Sequence, residues 1–278
     1  MGPALSFTFA VAPFAAAALF AISAVGGAGP ATAAEAASCP IPETADRLEG
    51  VTPEGDLSLA SYGLVRLAGV RLPEAPWRGA ALARLRDETG REVRVAGPEA
   101  RDRWGRRAVR LVVVAGAAAG GAPGKRDLGR SLVAAGLALV DAAEGEGPCR
   151  RALLGVEAAA RQRGLGLWAG DRYTPIPVAE LARLKDRMGR FILVEGRIRG
   201  VGERPQRTFL NFSNDWASDF TITIPKRIWS RMAERGLTAA RLTGRLVRIR
   251  GVLEDRQGPA LTLTEPDEIE ILDEGRRS

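Results

Sequence analysis

The sequence predicts a mainly β chain with helices, an α+β fold in two halves. Short apolar runs alternate with polar residues and are punctuated by glycine and proline, the pattern of brief strands joined by turns. Residues 169–177 (AGDRYTPIP) carry two prolines and no periodicity, which marks a boundary. The length of 278 residues suits one large domain or two small ones. The expected layout is therefore a leader over 1–34, a tail over 35–45, a first domain over 46–170 and a second over 171–278.

Residues 1–34 contain no charged side chain, and an apolar run over 7–25 is followed by Gly26, Gly27, Gly29 and Pro30. With Ala31-Thr32-Ala33 as a small-x-small cleavage pattern, this reads as a secretory signal peptide, although a basic start is missing. The alternative is an uncleaved anchor. Export, to a periplasm or the medium, implies an oxidising compartment in which the two cysteines, Cys39 and Cys149, can pair.

In the first half, residues 57–59 and 64–67 read as strands around a turn at Tyr62-Gly63. Residues 77–88 have helical spacing at Trp77, Ala81, Leu82 and Leu85, with Gly90 as a stop. Strands follow over 93–95 and 108–114, then helices over 128–135 and 150–163. Leu165, Leu167 and Trp168 are expected to fold back onto the core. The glycine-rich loop over 115–124 precedes Lys125, but its spacing does not make a phosphate loop.

In the second half, residues 178–188 have helical spacing. Residues 191–199 alternate, with Arg197 and Arg199 opposite Ile192, Val194 and Ile198. Strands are expected over 208–212 and 220–224, a short helix around Ile228, Trp229 and Met232, and strands over 245–253, 260–263 and 269–272. Arg248 and Arg250 lie on the face opposite Val247 and Ile249. Three strands, a helix and further strands is the order of an OB-type barrel.

The net charge is +7, and nearly all of the positive charge is arginine. Residues 173–256 alone carry +8. Arginine suits bidentate phosphate contact. The chain has no histidine, which excludes a Ser-His-Asp triad, a histidine base and any histidine metal site. Two cysteines cannot build a structural zinc site. Carboxylate, arginine, hydroxyl and backbone remain as chemistry.

Three segments concentrate those groups: Glu54-Gly55-Asp56; Arg66-Leu67-Ala68-Gly69-Val70-Arg71-Leu72-Pro73-Glu74; and Asp102-Arg103-Trp104-Gly105-Arg106. In this order the chain resembles the staphylococcal-nuclease-like (thermonuclease) family over about residues 46–168. Leu132-Val133-Ala134-Ala135-Gly136-Leu137-Ala138, and then Glu157, Ala160, Arg161, Gly166, Leu167 and Trp168, extend the likeness. The resemblance implies an OB-type five-stranded barrel with helices, so that the second half would be a second OB-like barrel. It implies that Asp56 binds a metal, that Arg66 and Arg106 hold the scissile phosphate, that Glu74 is a general base and that Trp104 borders a nucleotide. Two guanidiniums suit the charge that develops on phosphoryl oxygens. A carboxylate can activate water, and Ca²⁺ wants carboxylate and carbonyl oxygens.

One departure stands out. Arg71-Leu72 occupies the place of the family's Asp-Thr, so a cation replaces a metal-binding carboxylate. Ca²⁺ is weakened by it; Arg71 is expected to pair with Asp56, and the Leu72 carbonyl could still be a ligand. The leading expectation is an exported phosphodiesterase, a nuclease acting on DNA or RNA, a monomer whose second half holds the strand through Arg197, Arg199, Arg248 and Arg250, with Phe209, Phe212 and Trp216 stacking on bases. The alternatives are a catalytically impaired nucleic-acid-binding protein of the same fold and an envelope protein-interaction module.

Overall fold

The computed structural model describes Gly2 and residues 39–114, 124–144, 147–213, 220–256 and 258–273. Apart from Gly2, the leader over 1–34 lies outside the described residues, as do the loop over 115–123 and Trp216. Both sequence halves fall within one compact unit, Ala36–Ser278.

The first half runs β1 (Thr44–Val51), β2 (Leu57–Leu59), β3 (Gly63–Leu67), β4 (Val70–Arg71), α1 (Trp77–Arg86), β5 (Glu92–Ala96) and β6 (Arg107–Val114). It continues with β7 (Lys125–Asp127), α2 (Leu128–Ala134), β8 (Leu139–Val140) and α3 (Gly147–Gln162), and ends in a 3₁₀ turn, Gly166–Ala169. Strands β1, β2 and β3 form an antiparallel meander. β3 pairs in parallel with β6, β6 antiparallel with β5, and β5 antiparallel with β1, so five strands close a barrel. Period-2 alternation sends Leu48, Leu57, Leu59, Val65, Val93, Val109 and Leu111 inward, where all are buried. Each such side chain contributes about 1.5–3 kcal/mol relative to exposure. The Asp127 side chain caps α2 by accepting from the Arg130 N–H at 2.8 Å.

Two glycines set how the chain closes behind the barrel. Gly136 (φ +66°) and Gly166 (φ +55°) approach so closely that a Cβ on Gly136 would lie 2.0 Å from the Leu165 carbonyl oxygen. The Leu167 N–H donates to the Gly136 carbonyl at 2.9 Å, and Leu167 and Trp168 are buried as expected from their spacing.

The second half runs β9 (Ile176–Pro177), α4 (Leu181–Lys185), β10 (Phe191–Arg197), β11 (Gly200–Glu203), β12 (Arg207–Asn211), β13 (Thr221–Pro225) and α5 (Lys226–Glu234). It finishes with α6 (Ala239–Leu242), β14 (Leu246–Val252), β15 (Glu254–Asp255), β16 (Pro259–Thr262) and β17 (Ile269–Ile271). The helix expected over 178–188 is shorter, because Pro175 and Pro177 hold the chain extended and the Val178 N–H pairs with the Glu195 carbonyl. Where a second barrel was expected, the described strands form two sheets, β17-β14-β10-β9 and β11-β12-β13-β16-β15.

The halves share a core. Leu193 of β10 packs with Leu139, Ala160, Leu167 and Trp168 of the first half. Beside it the fully buried Arg250 pairs with Glu157 at 2.8 Å and with Glu270 at 2.6 Å.

Candidate functional site

Asp56 sits in a turn that glycine makes possible. Gly55 has φ +93°, and a Cβ there would meet Leu72 Cδ1 at 2.2 Å. The turn presents the Asp56 carboxylate to Arg106, whose Nη1 donates to Oδ1 at 3.0 Å. Arg106 is brought there by a second turn, in which the Asp102 carboxylate accepts from the N–H groups of Trp104 (2.9 Å) and Arg106 (3.0 Å).

Asp102 also binds the Arg106 guanidinium, from Nε at 2.9 Å and Nη2 at 2.8 Å, and lies 3.6 Å from Arg66 Nε. Arg66 donates its Nη1 to Glu144. Arg66 and Arg106 thus converge on one carboxylate, inside a cluster of two guanidiniums and the carboxylates of Asp56, Asp102 and Glu144. The Arg106 hydrogen bond is the main cause that lowers Asp102 to about 2, against a resisting desolvation. The same bond raises Arg106 above its ordinary value. Trp104 is 59% exposed, with the Arg103 and Arg106 guanidiniums 4.0 and 4.7 Å from its ring centroid.

Glu74 stands apart from this cluster. Its carboxylate accepts from Arg172 and Arg190, and its N–H donates to the Tyr173 hydroxyl at 2.8 Å. Desolvation pushes its pKa up, but the hydrogen bonds and charges of the two arginines outweigh it, so Glu74 lies below the ordinary carboxylate value. Arg71 does not pair with Asp56. Strand β4 pairs with β8 and brings Arg71 to Asp141, with Nη2 2.6 Å from Oδ2, and its guanidinium lies 4.7 Å from the Phe191 ring centroid. Asp56 is held by Arg106 instead.

This donor set fits Ca²⁺ poorly. A hard divalent cation needs several oxygen ligands. Here the Asp56 carboxylate is occupied by a guanidinium, Arg71 is engaged with Asp141, and the Leu72 side chain packs under Gly55. Among the described residues no three Asp, Glu or Cys side chains converge into a metal-binding group.

The four arginines of the second half do not form one groove. Cross-strand register puts Arg197, Arg248 and Arg250 on the sheet face that carries Leu193, which is the face turned to the first half. Arg250 is therefore buried in the shared core and is not a surface contact for nucleic acid. Arg248 pairs with Glu195 at 2.6 Å. Arg197 pairs with Asp273 at 3.2 Å and remains 61% exposed, and Arg199 is exposed. Phe212 packs on Phe220 at 5.7 Å, in the core, while Phe209 is half-buried.

A cavity of about 780 Å³ opens beside Arg66 and Glu144. Its walls include Leu67, Val109, Leu153 and the disulfide that joins Cys39 to Cys149, with Cα atoms 5.0 Å apart. Sequence reading missed Glu144, Asp141, Arg172 and Arg190 as partners of the site. It also did not assign a role to Asp102, although Asp102 opens the quoted Asp-Arg-Trp-Gly-Arg segment.

No curated protein matches the chain. Residues 64–170 match the family model described as staphylococcal nuclease homologue, which spans β3 through the 3₁₀ turn and includes Arg66, Glu74, Asp102 and Arg106. With the closed five-stranded barrel beneath them, residues 64–170 are a domain of the staphylococcal nuclease homologue family.

Proposed function

We propose that this domain binds the phosphodiester backbone of DNA or RNA through Arg66 and Arg106, and that its Ca²⁺-assisted hydrolysis is impaired. One observation carries the reading: both guanidiniums reach a single carboxylate, Asp102, at 2.8 and 3.6 Å. A phosphate offers the same paired oxygens to the same donors. Trp104 supplies an exposed ring for stacking, and the cavity beside Arg66 offers room for a base. The impairment follows from the opposing groups at the metal and base positions: Arg106 neutralises Asp56, Arg71 brings a positive charge, and Glu74 is bound by two arginines. Export is part of the proposal, supported by the charge-free leader and by the disulfide, which suits an oxidising compartment.

The test combines binding with digestion, on labelled single- and double-stranded DNA and RNA with Ca²⁺, Mg²⁺ or a chelator. Binding should fall with rising salt, and Arg66→Ala or Arg106→Ala should each weaken it by about tenfold. Cleavage with Ca²⁺ should be weak, and should rise in the double variant Arg71→Asp, Leu72→Thr, which removes the cation and sets a second carboxylate near Asp141. Absence of binding sinks the proposal. Efficient Ca²⁺-dependent cleavage by the unaltered protein sinks the claim of impairment and leaves a phosphodiesterase, the reading that the half-exposed Glu74 favours.

A further inference from the structure

A second cavity lies away from the Arg66 cluster, where the first half meets the second. It measures about 650 Å³ and is lined by Trp77, Asp171, Arg172, Thr174, Arg183 and Arg187. Three guanidiniums and one indole face a concave space in which Asp171 is the lone carboxylate. Arg172 is engaged with Glu74, and Arg183 with Glu180 at 2.6 Å. Among the described residues the Arg187 guanidinium has no carboxylate partner. Surface pairs of this kind are weak, so an incoming anion can exchange with them at small cost. Trp77 is half-buried and held edge-on by Tyr173, with ring centroids 5.5 Å apart.

The cavity adjoins the segments that build the first site. Trp77 opens α1, and its neighbour Arg78 donates to the Glu54 carbonyl, two residues before Asp56. Arg172 in the cavity wall reaches Glu74, whose segment leads from β4 into α1.

We propose that this cavity is a second phosphate subsite for the same nucleic-acid strand. Arg172, Arg183 and Arg187 would take a phosphodiester, and Trp77 would offer an aromatic surface to the adjacent base. The inference rests on the reading of Arg66 and Arg106 as phosphate ligands. It deepens that reading by making the bound strand long enough to cross from the barrel onto the second half, and by giving the second half a role at Arg183 and Arg187 in place of the buried Arg250.

The test uses the full chain and fluorescein-labelled oligothymidylates of about 4 and about 12 nucleotides, a range that brackets one and two subsites on such barrels. Anisotropy is measured at several salt concentrations for the unaltered protein and for Arg187→Glu, Arg187→Lys and Arg66→Ala. Arg187→Glu should weaken the longer strand by about tenfold and lower its salt slope by about one contact, while Arg187→Lys restores most of the affinity. The shorter strand should be indifferent to Arg187→Glu and should weaken in Arg66→Ala. If Arg187→Glu leaves the longer strand unchanged, or weakens both lengths equally, the subsite is overturned and the Arg66 reading stands. If the unaltered protein binds neither strand, both readings fall.

Discussion

Asp102 does more than orient its turn: it gathers the two arginines. Its folded value of about 2 lies below the ordinary 3.8. A depressed carboxylate contributes stability that is complete above the ordinary value and is lost as pH falls toward the folded one. The stability that the Asp102 network contributes should therefore be complete at neutral pH and be lost between about pH 4 and pH 2. Carboxyl chemical shifts in an NMR titration should place the Asp102 midpoint near 2, and Arg106→Ala should return it toward the ordinary value. A midpoint near 4 in the unaltered protein would contradict the arrangement. Asp56, Arg66 and Arg106, which the structure brings around Asp102, each sit in a short segment whose local order is distinctive; Glu74, singled out in the same way, stands apart from them. Their partners could not be picked out that way. Glu144 lies 78 residues from Arg66, and Arg172 lies 98 residues from Glu74, and no local spacing encodes pairs brought together by tertiary packing. The position of Arg71 was misjudged for the same reason, since the pairing of β4 with β8, and not proximity in the chain, decides that it meets Asp141.

At the scale of elements, the close approach of Gly136 and Gly166 fixes the exit from α2 against the 3₁₀ turn. Gly136→Ala forces a Cβ into a backbone carbonyl at a positive φ, with no flexible side chain to give way. We expect a loss of about 2–5 kcal/mol, read as a lower denaturant midpoint, whereas Gly155→Ala, where nothing lies within 4 Å of the added Cβ, should be neutral or stabilising. Equal effects at the two positions would show that packing at Gly136 relaxes more than the geometry allows. Elements with strong periodicity were legible: α1, α2, α3, β6, β10 and β14 all lie where alternation or helical spacing put them. β1 was missed because only Leu48 among its central residues is a large inward apolar group, and the inward-facing Asp46 breaks the alternation. β11, rich in glycine, has no apolar pattern to reveal it.

The molecule as a whole is held by more than a linker. Arg250 and Glu157 are both fully buried and bind across the halves, and Glu157 also accepts from the Val140 N–H at 2.7 Å. A second crossing pair joins Arg150 to Asp267 at 2.9 Å. Removing one member of a buried pair strands the other charge, at a cost of about 3–5 kcal/mol. Arg250→Ala should therefore destabilise by that order, while Arg250→Met with Glu157→Gln, which keeps an acceptor for Val140, should lose less than the single change. A double variant as unstable as the sum of its parts would mean that the two residues act independently. The sequence pointed to Arg250 as a surface cation because strand alternation separates faces without saying what covers each one; here the covering surface is the first half itself.

The disulfide between Cys39 and Cys149 has a topological consequence for this chain. It closes a covalent ring over residues 39–149, which holds the barrel strands and α2, the bridged pair being 110 positions apart in the sequence. One peptide-bond cleavage anywhere within that ring opens a loop but releases no piece, so the nicked protein keeps its mass until a thiol reductant is added. A first cut within the ring is thereby prevented from becoming a dissociation.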